Sequence, residues 1–165
     1  MYKAYQDVIE PLFQTYYALH PDLAAITIYS SCDLHPYNGY IQPLTDLKEL
    51  EWFPLVEDKY IPTWTIWEEE GDKELYSTRL IGDANKYRTL NYLCLQVDYE
   101  SLFTPLYTVS EGNYTILITD SNNSCVFTNI SDPAMNLDRF VSEYDESRYM
   151  LLTDRFKAAE WNIYF

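Results

Sequence analysis

Glycine is scarce in this chain, with only Gly39, Gly71, Gly82 and Gly112 in 165 residues. None is spaced as GxGxxG or followed by lysine in a phosphate loop, which excludes P-loop NTPases, Rossmann enzymes and kinase catalytic domains. Positive charge is short as well: 11 Lys and Arg stand against 26 Asp and Glu, a formal net charge of −15. Nucleic-acid binding depends on cations that release phosphate counterions, so a nucleic-acid partner is excluded. Anionic lipid surfaces are disfavoured for the same reason. Cysteine is limited to Cys32, Cys94 and Cys125, isolated and odd in number, so neither a CxxC metal pair nor a disulfide framework is built, with a single disulfide left open. No run approaches the ~18 apolar residues of a membrane span, and no signal peptide opens the sequence.

Against these shortages stand 17 Tyr, 7 Phe and 4 Trp, 17% of the chain, within a composition that is 47% hydrophobic and 22% charged. Such a balance predicts a packed core. Both ends look cut, since a helical pattern begins within a residue or two and the last residues read as a strand. A fragment excised from a longer protein is therefore expected.

Tyr5, Val8, Ile9, Leu12, Tyr16 and Leu19 recur at spacings of three and four, which predicts an amphipathic helix over 2–19. Pro11 either kinks it or opens a second helix in its first turn, and His20-Pro21 closes it. Leu23 to Ser30 reads as a strand, followed by a loop punctuated by Pro36, Asn38 and Gly39. Asp46 is the expected cap of a short helix running through Leu47, Leu50, Phe53 and Leu55. Three strand-like runs follow, Thr63 to Trp67, Glu74 to Ile81 and Thr89 to Asp98, the first two joined by an acidic turn. Tyr99 to Tyr107 reads as a short helix. A second β group comprises Tyr114 to Thr119, Cys125 to Asn129, Tyr149 to Thr153 and Trp161 to Phe165, with polar 131–148 as helix and loops.

This order predicts an α+β fold with an N-terminal helix and two antiparallel sheets. Residues 1–109 would form a larger lobe ending in a linking helix, and 110–165 a smaller β lobe. A single continuous domain is the alternative.

The wording of these strands resembles the extracytoplasmic double Cache (PAS-like) sensor region of bacterial membrane histidine kinases, particularly the YesM-like group. The resemblance is carried by the helix leading into LAAITIYSS, by PTWTIW, ELYSTRLI and TLNYLCLQVDYESLFTPL, and by the hairpin NYTILITDSNNSCVFTN and the closing FKAAEWNIYF. It covers nearly the whole chain, each piece being a loose pattern. The glycine usual in the last strand of the family's distal lobe is replaced around Asn91-Tyr92, and Asn122-Asn123 stands where "D-x-x-G" is common. The Arg-x-Trp-Tyr segment of amino-acid-binding members is missing, so an amino-acid ligand is not expected.

The resemblance implies a membrane-distal lobe that binds a small solute, a membrane-proximal lobe, and a membrane-anchored parent with a cytoplasmic kinase. It also implies a homodimer of the full-length parent through its N-terminal helices, with monomer and weak dimer both open for this chain. Tyr29, Trp64, Trp67, Tyr76 and Arg79 are the candidate ligand-binding set, aromatics and one cation on neighbouring strands of the distal sheet. Trp64 and Trp67 are an odd distance apart and point to opposite faces. Arg79 has a structural ion pair as its competing role.

No catalytic residue, metal ligand or cofactor is expected. His20 and His35 each precede a proline without partners at ligand spacing, and there is no GxSxG, HExxH or Cys–His arrangement. The turn after Asp120 begins like a calcium loop but lacks its later ligands, so it reads as a hairpin turn. Glu68, Glu69 and Glu70 read as a solvated tip. A second function of a different class, a secreted carbohydrate-binding or glycoside-hydrolysing protein, is permitted by the aromatics and acids.

Overall fold

The computed structural model describes residues 3, 5–32, 36–69, 72–84, 89–110, 114–130, 135–142 and 151–165. His35, Glu70, Tyr149 and most of 131–148 lie outside the described residues. The chain divides into two compact units, Met1–Ser101 and Leu102–Phe165.

The first unit opens with a π-helical turn, Tyr5–Ile9, that leads into α1, Glu10–Leu19. Pro11 sits in the first turn of α1, where its missing N–H leaves no hydrogen bond unmade. The periodic stripe read from the sequence is largely turned outward: Val8, Leu12, Tyr16 and Leu19 are exposed. Phe13 is the buried residue of α1, packed edge-on to Tyr40 at 5.3 Å, and the Tyr17 hydroxyl accepts the Ile26 N–H at 2.8 Å.

Five strands follow: β1 Leu23–Ser30, β2 Ile41–Pro43, β3 Thr63–Glu69, β4 Asp72–Ala84 and β5 Thr89–Asp98. Their order is β2-β1-β5-β4-β3. The sheet is mixed, correcting the expectation of antiparallel pairing throughout, because β2 runs parallel to β1. The return loop makes this possible with a tight turn at Asn38-Gly39, whose φ of 45° and 75° and 2.8 Å Tyr40 N–H to Tyr37 carbonyl bond mark a type I′ turn. A short helix α2, Leu44–Lys48, then leads to a 3₁₀ turn, Phe53–Leu55. Asp46 is not its cap: extended Pro43 occupies the cap position, so the helix begins earlier and Asp46 is a first-turn acid.

Helix α3, Tyr99–Ser110, starts where Asp98 Oδ1 accepts the Ser101 N–H at 2.6 Å, an N-cap bond. The second unit holds β6 Leu117–Thr119, β7 Cys125–Thr128, a short helix α4 Leu137–Ser142, β8 Thr153–Phe156 and β9 Trp161–Tyr164. Its sheet is antiparallel, in the order β7-β6-β9-β8. Phe103 stacks on Phe127 at 4.7 Å in its core. β8 lies later than the expected Tyr149 to Thr153 because its register is set by the turn Lys157–Glu160, which pairs Phe156 with Trp161. The architecture is α+β: an N-terminal helix, a five-stranded mixed sheet and a four-stranded antiparallel sheet.

Candidate functional site

The strand register sorts the five-stranded sheet into two faces of different chemistry. Directly paired residues share a face. One face carries Ile26, Ile28, Ile66, Leu75, Leu93, Leu95 and Val97, and is aliphatic. The other carries Tyr29, Tyr92 and Leu80 in one cross-strand row, Thr27, Cys94, Thr78 and Thr63 in the next, then Ala25, Gln96, Tyr76 and Thr65, and finally Asp98, Glu74 and Trp67. This second, aromatic face has a floor of small residues between large rings.

One end of the aromatic face is roofed. Leu44, Leu47, Trp52, Phe53 and Val56 form a single buried cluster with Leu80, Tyr92 and Cys94. Phe53 packs edge-on to Tyr92 at 5.5 Å, the Asp58 N–H donates to the Tyr92 hydroxyl at 3.3 Å, and the Leu80 N–H donates to the Lys59 carbonyl at 2.7 Å. These bonds pin a largely irregular segment onto β4 and β5, satisfying backbone groups that the segment cannot pair within itself.

The other end is more polar and half-buried. Trp67 is directly opposite Glu74, and Thr65 directly opposite Tyr76. The Tyr76 hydroxyl donates to Glu74 Oε2, and Gln96 Nε2 donates to Glu74 Oε1 at 3.0 Å. Trp52 stacks on Tyr76 with ring centres 4.7 Å apart. Trp67, Glu74, Tyr76 and Gln96 are half-buried, so solvent reaches this corner. The Thr65 hydroxyl does not share in it: the residue is 7% exposed and its Oγ1 is buried with no hydrogen-bond partner. A buried hydroxyl left unpaired costs about 1–3 kcal/mol.

Burial governs the ionisable groups of this face. It pushes the Tyr29 phenol up to about 12, with help from the neighbouring negative charges of Cys94 and Asp46. The Cys94 thiol is raised to about 11 by burial, partly offset by its hydrogen bond from the Thr78 hydroxyl at 3.3 Å. Tyr76 is raised further, by burial and then by Glu74, and Tyr92 is raised by burial. The rings therefore stay neutral donors at physiological pH, and Cys94 is an unreactive thiol.

Of the five residues singled out from the sequence, Trp67 and Tyr76 lie at the polar end of the aromatic face. Tyr29 shares their face but sits in the far row, and all three pack against the buried cluster. Trp64 and Arg79 belong to the aliphatic face, Trp64 opposite Ser77 and Arg79 opposite Leu93, so the set does not line one surface. Arg79 is exposed and makes no ion pair among the described residues. Thr65, Glu74 and Gln96 were missed, although Thr65 and Glu74 lie two residues from Trp67 and Tyr76 and so share their face. Trp52 had no periodic signal to reveal it.

The other candidates have structural explanations. Asp120 Oδ1 accepts the N–H groups of Asn122 and Ser124, both at 2.8 Å, and Asn123 takes a φ of 62°, which makes a self-contained hairpin turn. Exposed His20 ends α1, its N–H bonded to the Tyr16 carbonyl at 2.9 Å. The three cysteines are not joined in disulfides. Among the described residues no group of three or more His, Cys, Asp and Glu could hold a metal ion, and no helix is long and apolar enough to cross a membrane. No protein-family model matches the chain, and no curated protein matches it.

Proposed function

We propose that this chain is the extracytoplasmic ligand-sensing region of a bacterial membrane sensor histidine kinase of the double Cache type. The observation that carries the reading is the aromatic face, covered by a buried cluster at one end and carrying half-buried Trp67, Glu74, Tyr76 and Gln96 at the other. Apolar walls with a few fixed polar groups are what a small-solute site requires. The element order gives further support: helix, larger sheet with an inserted short helix, a helix from Tyr99 to Ser110, then a smaller sheet.

In this reading the fragment binds and does no chemistry of its own. A bound solute favours one of two arrangements of the parent, and the cytoplasmic kinase reads the difference. The exposed stripe of Val8, Leu12, Tyr16 and Leu19 is the surface through which two parents pair, helix to helix. Sedimentation of the wild type against Leu12→Glu tests that pairing, with loss of self-association expected.

The binding reading is tested by a thermal-shift panel of small solutes run beside a hydrolysis panel of glycans. A rise in Tm with one or few solutes and no turnover is expected. Turnover abolished by one Asp or Glu substitution would replace the sensor reading with a glycoside hydrolase.

A further inference from the structure

Two tight turns of this chain hold an asparagine in the left-handed region, and they differ in a way that decides its chemistry. Asn38 has a φ of 45° and Asn123 a φ of 62°, and both are exposed. An asparagine side chain can be attacked by the main-chain nitrogen of the residue that follows it, most readily when that residue is glycine and no side chain crowds the approach. Asn38 is the only asparagine of the sequence followed by glycine, and Asn123, followed by serine, is the next in susceptibility.

The state of the attacking nitrogen separates the two. The Ser124 N–H is donated to Asp120 Oδ1 at 2.8 Å, and the Asn123 N–H, which would attack Asn122, is donated to the Asp120 carbonyl at 3.1 Å. A nitrogen held by its hydrogen must give up that bond before it can act. Among the described residues, the Gly39 N–H and the Asn38 side chain have no hydrogen-bond partner. Even a Cβ placed on Gly39 would meet nothing within 4 Å, so the space around its nitrogen is clear.

The same turn fastens the first sheet to α1. Its closing bond runs from the Tyr40 N–H to the Tyr37 carbonyl at 2.8 Å, and the Thr27 hydroxyl donates to the Gly39 carbonyl at 3.1 Å. Just beyond it, the Tyr40 carbonyl accepts the Ile28 N–H at 2.8 Å. The Tyr40 ring meets Phe13 of α1 at 5.3 Å, and its hydroxyl accepts from Gln14 Nε2 at 2.7 Å. A two-residue turn of this type has no slack, because its backbone geometry fixes how its flanking residues meet.

We infer that Asn38 is a site of spontaneous conversion to isoaspartate, and that the conversion loosens β2 and the Tyr40 contacts that seat α1. The Gly39 nitrogen forms a bond to Asn38 Cγ, the Cγ–Nδ2 bond breaks, and the Gly39 proton leaves with Nδ2 as ammonia. Water then opens the cyclic imide at either carbonyl. Opening at the side-chain carbonyl gives aspartate, whereas opening at the main-chain carbonyl gives isoaspartate, in which the chain runs through Cβ and Cγ and gains one carbon. The lengthened turn cannot keep both the Tyr40 N–H bond and the Thr27 bond across it. This modification stands apart from any solute on the aromatic face.

The test is peptide mapping by mass spectrometry of the whole chain aged for weeks at mildly alkaline pH, folded in buffer and unfolded in guanidinium chloride. In the folded chain Asn38 should convert roughly tenfold faster than Asn123, with isoaspartate among the products. In the unfolded chain Asn123 should quicken, its protecting bond gone, while Asn38 changes by less than about threefold. Conversion of Asn38 in the unfolded chain alone, or of Asn123 as fast as Asn38 in the folded one, would overturn the inference. The isoaspartate form, resolved chromatographically, should exchange its Ile28 amide hydrogen roughly tenfold faster than fresh protein, the scale of losing one or two hydrogen bonds. Asn38→Asp carries the new charge without the extra carbon and should exchange Ile28 at the fresh rate. Ile28 exchange unchanged by isoaspartate, or raised equally by Asn38→Asp, would overturn the loosening of β2.

Discussion

The two faces of the five-stranded sheet share one set of backbones and differ in almost everything else. The aliphatic face carries Ile, Leu and Val along β1 and β5, with Leu75 on β4 and Ile66 on β3, and several of them are only half-buried. The aromatic face holds Tyr, Trp, Thr, Cys, Gln and Glu, with a hydroxyl stranded inside it. A sheet needs only one good hydrophobic face to be stable. The difference teaches that the face covered by residues 44–56 combines a buried cluster with polar groups, and there an unpaired buried hydroxyl is held at a cost in stability.

The comparison can be broken most severely from the roof. Phe53→Ala removes the ring that packs on Tyr92 and should lower unfolding free energy by about 3–5 kcal/mol in urea titrations, collapsing the distinction between the roofed and polar ends. Alkaline pH attacks the same face. Cys94 and Tyr29 have folded-state pKa values raised to about 11 and about 12 from ordinary values of 9.0 and 10.0, so their contribution is complete below pH 9. It is lost as pH rises through the folded values, since the unfolded chain releases these protons first. Urea midpoints should therefore fall steadily between pH 9 and pH 11, and Cys94→Ala should flatten the lower part of that fall.

Smaller changes sharpen the contrast. Thr119 in β6 has a fully buried Oγ1 without a partner, as Thr65 has in β3. Thr119→Val should raise stability by about 1 kcal/mol, measured by the denaturation midpoint, with no effect on solute binding. Arg79→Ala should be the mildest. An exposed side chain with no ion pair on the aliphatic face should shift stability by less than about 0.5 kcal/mol, read from the urea midpoint.

Much of the fold was legible. β1 and β5 start and end where their β-branched and aliphatic runs do, and Asn38-Gly39 announced its turn. Parallel β2 was not legible, because three residues ending in proline carry no periodic signal and are paired only through the loop that returns them to β1. Helix α1 shows the limit of periodicity: its apolar residues cover more than one side, and packing against Tyr40 selects Phe13 over the more regular stripe.

The candidate site was legible only in part. The opposite orientations of Trp64 and Trp67 follow from counting by two along β3, and the same count separates Tyr76 from Arg79. Which parity faces the roof depends on residues 44–56 folding back, and nothing local encodes that. Trp52 enters the site by this route, brought against Tyr76 from an irregular segment by long-range packing.

The central claim, that the aromatic face and not the aliphatic one receives a small solute, is tested most directly by the four tryptophan indole N–H signals during a solute titration. Trp52 and Trp67 should move together and saturate while Trp64 and Trp161 stay fixed. Movement of Trp64, with Trp67 unchanged, would contradict it.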